Sequence, residues 1–168
     1  MKKVYQLIGT GALTTSLLLG ITTVGNTDHA IAAQSESETT PWYNYDGYTY
    51  NNPNFVLEHS FVEALYADNV TINGYQTEAD AKTGTGGEST TVYDTKILKD
   101  KNGKVGTIMF DVKSGVVTQQ AFKEAHKETM IVDEGDQFLK YGTLNQYYLA
   151  SFDENGYLVH MEIGVIPQ

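Results

Sequence analysis

The sequence predicts an α+β domain: an antiparallel sheet built from hairpins, with two helices packed on one of its faces. Asn-Gly occurs at Asn102-Gly103 and Asn155-Gly156 between alternating runs, a strong short-range hairpin signal because these residues tolerate the positive φ of a tight turn. The flanking runs alternate apolar and polar residues, the mark of a sheet with one packed and one largely solvated face. Two stretches of helical periodicity fall between the hairpins, in the order hairpin, helix, strand, hairpin, helix, hairpin, and that order defines α+β rather than parallel α/β.

The first hairpin is read in an aromatic block. Half of the ten residues from Pro41 to Tyr50 are aromatic, namely Trp42, Tyr43, Tyr45, Tyr48 and Tyr50, arranged around Asp46-Gly47. A two-residue turn there sets Tyr45 opposite Tyr48 and Tyr43 opposite Tyr50, with all four tyrosines on one face. Asn52 then caps a helix with Pro53 at its first position. Phe55 to Asn69 reads as amphipathic, with Leu57, Phe61, Ala64 and Leu65 on one stripe. That stripe offers the tyrosines an apolar partner, so packing is the expected use of most rings, with Trp42 and the outer tyrosine edges left for contact. Val70-Thr71-Ile72 begins a short strand, and residues 77–90 are the expected mobile loop.

In the second hairpin a two-residue loop joins Thr91–Lys101 to Lys104–Val112, placing Tyr93, Ile97, Ile108, Phe110 and Val112 inward. Thr118 caps a short helix through about Glu128, with Phe122 and Ala125 inward. In the last hairpin, Tyr147–Glu154 against Tyr157–Gly164, the register gathers Tyr148, Ala150, Phe152, Tyr157, Val159, Met161 and Ile163 inward and sets Ser151 opposite His160.

Residues 1–33 read as a signal peptide. Lys2 and Lys3 precede an apolar stretch from Leu7 to Val24, and Ala30-Ile31-Ala32 supplies the small residues for cleavage after Ala32 or Ala33. A spanning helix is the alternative, disfavoured by the threonines, glycines and small-residue end. Residues 34–40 form a flexible leader and 41–168 a single domain, about 136 residues in the mature chain. The absence of cysteine excludes disulfides, a thiolate metal site and lipid attachment to cysteine. A C-terminus without a second apolar segment or basic tail argues against covalent wall anchoring. The protein is therefore expected to be secreted, soluble or held non-covalently at the cell surface, with no transmembrane segment after cleavage. Nine lysines face twenty acids in the mature part, with no arginine in the chain, a balance that repels polyanions at long range.

The stretch TPWYNYDGYTYNNPNFVLEHSFVEALYADNVTINGY, Thr40 to Tyr75, resembles the immunodominant staphylococcal antigen B family. The shared features are the Thr-Pro-aromatic-Tyr start, the Tyr-x-Tyr-x-Gly-Tyr block and the Asn-Asn-x-Asn-Phe helix entry. They continue with Asp68-Asn69-Val70 and Asn73-Gly74. The resemblance implies a secreted, partly surface-associated antigen without known enzymatic activity, with sequence-independent nucleic-acid binding and a role in evading host defences. Members with that binding are basic, whereas this chain is acidic.

Nucleic-acid contact requires clustered cations. Four of the lysines, Lys96, Lys99, Lys101 and Lys104, lie on the second hairpin. In the two-residue register Lys99, Lys101 and Lys104 share a face at its tip, with Lys101 opposite Lys104. Tyr43, Tyr45, Tyr48 and Tyr50 supply stacking surfaces, so weak, salt-sensitive binding of extracellular nucleic acid is expected of these eight residues. The alternative is a protein- or glycan-binding module that meets a host or cell-wall ligand through its aromatic face and Trp42, without nucleic acid. No metal or cofactor is expected. Asp153-Glu154-Asn155-Gly156 starts like a calcium loop but lacks the later ligands, and His59, His126 and His160 are far apart. Ser151, His160 and Asp153 on the outer face of the last hairpin have no nucleophile elbow, so no enzyme is expected.

Overall fold

The computed structural model describes residues 40–82 and 87–166. The expected signal peptide and nearly all of the leader lie outside the described residues, as do residues 83–86 of the expected loop. In chain order the elements are β1 (Tyr43–Tyr45), a 3-10 turn (Pro53–Leu57), α1 (His59–Tyr66), β2 (Val70–Ile72), β3 (Ser89–Val92), β4 (Thr95–Lys99) and β5 (Val105–Asp111). There follow α2 (Gln119–Ala125), β6 (Met130–Gly135), β7 (Phe138–Gly142), β8 (Gln146–Phe152) and β9 (Leu158–Val165). Strands β3-β4-β5-β9-β8-β7-β6 form one antiparallel sheet. The helices supply Phe55, Phe61 and Phe122 to a core shared with Ile97, Ile108, Phe110, Tyr148 and Met161. The α+β expectation holds.

The body register of both Asn-Gly hairpins is as expected, with Ile97 opposite Ile108 and Ser151 opposite His160. Their tips differ from a two-residue loop. Asp100 donates its N–H to Lys104 O (2.8 Å), and Gly103 N–H returns to Asp100 O (2.9 Å). Asp100 Oδ1 takes the N–H groups of Asn102 (2.7 Å) and Lys104 (3.0 Å). Asp153 repeats the pattern with Tyr157, Gly156 and Asn155. Each is a three-residue loop closed by a left-handed glycine, Gly103 at φ 83° and Gly156 at φ 76°, which an aspartate side chain one turn earlier stabilises. A bulge then restores the register, at Leu98/Lys99 and at Ser151/Phe152. Two expectations fall as a result. Lys101 does not face Lys104, because Asp100 does, and Leu158 is buried while Tyr157 and Val159 are only half-buried.

The tyrosine hairpin does not form. β1 pairs in parallel with β2, Tyr43 beside Val70 and Tyr45 beside Ile72. Gly47, at φ 124°, breaks the strand, and its N–H goes to Asn73 Oδ1 (2.7 Å). Tyr43 and Tyr45 are buried, stacking on Phe55, with Tyr43 also edge-on to Phe61 at 5.3 Å. Tyr48 and Tyr50 stay exposed. The four rings are split two and two because Asn73 takes the Gly47 N–H and Asp94 those of Thr49 and Tyr50, which turns the chain away from a local hairpin after Tyr45.

The expected helix from Phe55 to Asn69 is shorter. Glu58 is extended (ψ 130°), which divides the segment into the 3-10 turn and α1, and Asn52 makes no side-chain cap bond. Phe61, Ala64 and Leu65 point inward as expected. Thr118 does cap α2, its Oγ1 accepting Ala121 N–H at 3.1 Å. The helix ends at Ala125, which is only half-buried, and the second buried side chain here is that of the cap residue His126. Two hairpins went unread. Tyr93 at φ 56° turns β3 into β4 inside the segment read as one strand, and the acidic stretch Asp133 to Asp136 straddles the end of β6 and its turn into β7.

Behind α2, one polar chain crosses the core. His126 Nε2 donates to Val56 O (2.9 Å), which leaves Nδ1 to accept from Tyr148 Oη (2.9 Å). Tyr141, stacked on Tyr148 at 4.8 Å, has a buried hydroxyl with no hydrogen-bond partner among the described residues, and burial pushes its pKa up to about 12. Tyr141→Phe is expected to raise stability by about 1 kcal/mol, because the stacking ring remains and an unpaired buried hydroxyl goes. The urea midpoints of the two proteins check this.

Candidate functional site

The exposed half of the aromatic block is held by one carboxylate. Asp94, in the β3–β4 turn, accepts Thr49 N–H at Oδ1 and Tyr50 N–H at Oδ2, each 2.9 Å. Lys113 N–H closes the far side onto Tyr50 O at 3.1 Å. With the backbone pinned, the side chains of Tyr48 and Tyr50 turn outward. The Tyr48 ring meets Tyr93 edge-to-face at 5.1 Å, and Tyr48, Tyr50 and Tyr93 are 51%, 47% and 56% exposed. Rigid, half-exposed rings on a fixed backbone lose little entropy on contact, which is what a recognition surface needs. Trp42 is exposed as expected, just before β1. Tyr93 and Asp94 were missed by sequence reasoning. The only signal was a strand-averse aspartate inside an eleven-residue run, about twice the usual strand length.

The lysines lie elsewhere. The Asn102-Gly103 tip is at the other end of β4 from Tyr93: Asp94 and Lys101, the residues next to each turn, are seven residues apart, roughly 23 Å at about 3.3 Å per residue. The structure therefore does not gather the lysine tip and the tyrosines into one surface. Lys104 is bound by Asp80, whose hydrogen bond raises the lysine pKa and lowers that of Asp80. Lys99 Nζ lies 5.2 Å from the centre of the Tyr75 ring. Lys96 and Lys101 are exposed and form no ion pair among the described residues. Between them sits Asp100, kept ionised chiefly by the Lys82 N–H and then by those of Lys104 and Asn102.

Ser151, His160 and Asp153 do not form a unit. His160 Nδ1 lies 2.7 Å from Asp111 Oδ1, and Asp153 is used by its turn and by the Ser114 hydroxyl. Ser151 and His160 are opposed in the β8–β9 ladder, but among the described residues no side-chain hydrogen bond joins them. Among the described residues no group of three or more His, Asp and Glu could hold a metal ion.

The Asp-Asn-Val and Asn-Gly residues shared with the antigen family are fasteners. Asp68 accepts the Asn145 N–H (2.7 Å) and the Thr143 hydroxyl, tying the end of α1 to the β7–β8 turn. Asn69 Nδ2 donates to Pro41 O (3.0 Å), and Asn69 O accepts Tyr43 N–H (3.2 Å). Asn73 and Gly74, at φ 52° and 83°, make the two-residue turn that the other Asn-Gly pairs do not.

The fold and its surface define a small α+β domain: a seven-stranded antiparallel sheet, a two-stranded parallel one, helices packed into the shared core, and a pinned aromatic patch at the turn of the β3–β4 hairpin. A family model described as immunodominant staphylococcal antigen B matches residues 42–163, and the chain belongs to that family. Relatives named immunodominant staphylococcal antigen B in Staphylococcus aureus strains USA300, NCTC 8325 / PS 47 and COL are each 31% identical over 147 residues. The match covers 84% of this chain and 81% of the relative. No solved structure matches the chain. No described helix is long and apolar enough to cross a membrane.

Proposed function

We propose that this protein is an exported, non-catalytic antigen that meets a host or cell-wall ligand through the patch of Tyr48, Tyr50 and Tyr93. The signal-like residues 1–33 support export. The observation that carries the reading is the exposed Tyr48–Tyr93 edge-to-face pair, anchored through Asp94. Its polar flank is amide and acid, Asn44 and Asp46 joined at 2.8 Å, which suits a glycan or a protein surface better than a polyanion. Binding should be measured on purified cell-wall material and on immobilised host matrix proteins. The Tyr48→Ser/Tyr93→Ser double variant is expected to bind at least tenfold more weakly, since each anchoring ring contributes on the order of 1 kcal/mol or more. Its thermal unfolding should be unchanged. Equal binding by the variant would discard the patch.

A second reading keeps a weak nucleic-acid role, favoured by the exposed ammonium groups of Lys96 and Lys101. Two such cations release few counter-ions, so binding to single-stranded DNA should be detectable only near 50 mM salt and lost by about 200 mM. Lys96→Ala/Lys101→Ala should abolish it without touching the tyrosine-dependent binding. No binding at about 50 mM salt would end this reading.

A further inference from the structure

We infer that the free edge of β6 is a docking strand for an extended peptide segment that is apolar at one end and basic at the other. β6 is the last strand of the sheet, and its backbone hydrogen bonds among the described residues run to β7 alone. Natural edge strands are usually blunted by being short, by charged side chains (lysine above all), by proline or by bulges. The opposite edge, β3, reads Ser-Thr-Thr-Val and follows that rule. β6 reads Met-Ile-Val-Asp-Glu-Gly: its bulge and its two acids protect the second half, while the first three residues are apolar, with no lysine or proline in the strand. Met130, Ile131 and Val132 are 69%, 39% and 48% exposed, and Leu144, just beyond Met130's partner Gly142, is 66% exposed. The apolar residues lie on both sides of the strand. Ile131 pairs with the core-facing Tyr141, while the bulge after Ile131 leaves Val132 over Gly142 on the outer face. An added strand would therefore meet apolar side chains above and below its own plane, which is how strand addition obtains specificity beyond backbone hydrogen bonds.

The charges choose the occupant. Asp133, Glu134 and Asp136 follow the apolar residues, all exposed. Glu134 is paired with Lys123 at 3.1 Å, and Asp133 lies opposite Lys140, whose ammonium is turned onto the Tyr147 ring at 4.1 Å. Asp136 has no cation bound to it among the described residues. The chain as a whole carries a formal charge of −10, so a second copy meets repulsion here and a cationic segment meets attraction. The partner is thus a basic-apolar peptide, its basic end at Asp133 to Asp136 and its apolar end at Met130 to Val132. The site is distinct from the tyrosine patch. Seven strands at about 4.8 Å put six spacings, roughly 29 Å, between the two edges of the sheet.

The test uses the mature protein and a labelled synthetic peptide, KKRKVTVIV, with KKRKSTSGS and a scrambled sequence as controls. Fluorescence anisotropy should give binding that weakens at least tenfold in Ile131→Lys and in Val132→Lys. Ser89→Lys on the opposite edge should leave it unchanged. Amide exchange should show new protection confined to residues 130–135. Equal binding of KKRKSTSGS, or protection elsewhere, would overturn the inference in favour of charge alone. So would a dimer by sedimentation that Val132→Lys dissociates, because the edge would then serve a second copy. Met130→Lys, at a position already 69% exposed, keeps the test decisive if either central variant fails to fold.

Discussion

Asn73→Ala is expected to lower the free energy of unfolding by about 3 kcal/mol. The side chain is buried and joins three segments. Its Oδ1 accepts Gly47 N–H (2.7 Å), and its Nδ2 donates to Thr95 Oγ1 (2.9 Å) and approaches Val92 O (3.4 Å). Its own N–H donates to Tyr45 O (2.7 Å). Alanine leaves the Gly47 N–H and the Thr95 hydroxyl without these partners, about 1 kcal/mol or more each. It also places a non-glycine, non-asparagine residue at φ 52°, about 1 kcal/mol further. Asn73→Gly should recover only the last of these. A chemical denaturation series with Asn54→Ala as an exposed control, expected within about 0.5 kcal/mol of the parent, checks the ranking. Equal stability of Asn73→Ala and Asn54→Ala would show that the clamp contributes nothing.

The second large effect is a loss of stability in acid that belongs to His126. Burial holds its pKa near 4, against 6.5 for the free side chain, with the bond to Val56 O pulling weakly the other way. The unfolded chain therefore takes up a proton first as pH falls. The stabilisation is complete above about pH 6.5 and is lost progressively down to about pH 4, on the order of 3 kcal/mol in all. The lowered carboxylates Asp80, Asp100 and Asp153, with an ordinary value of 3.8, lose their contribution from about pH 5 downward, so the fall between about pH 6.5 and 5 belongs to His126. Urea midpoints from pH 7.5 to 4.5 should fall steeply in the parent and stay much flatter in His126→Phe. Parallel curves would place the acid sensitivity elsewhere.

Much of the frame was legible because it rests on local rules. The paired alternation around Asn102-Gly103 and Asn155-Gly156 placed β5, β8 and β9 and the register of their bodies, and Thr118 marked the start of α2. The candidate site was less so. Lys99 and Lys104 looked like members of a cationic cluster, but Tyr75 and Asp80, 24 residues from each of them in the chain, face them. Tyr93 looked like a core residue, because the alternation runs through it and only the strand-averse Asp94 beside it points to a turn. The edge strand β6 was hidden by its acids, which suit a turn as well as a strand end.

By itself the sequence determined the α+β class, the family and the acidic charge, since composition, periodicity and ordered motifs need no partner in space. Only the tertiary structure decided what the Asp46-Gly47 tyrosines do. Backbone donors and acceptors must be satisfied, and β2, Asn73 and Asp94, all distant in the chain, satisfy those of residues 43–50 better than a local hairpin would. That competition buries Tyr43 and Tyr45, presents Tyr48 and Tyr50, and brings Tyr93 to them.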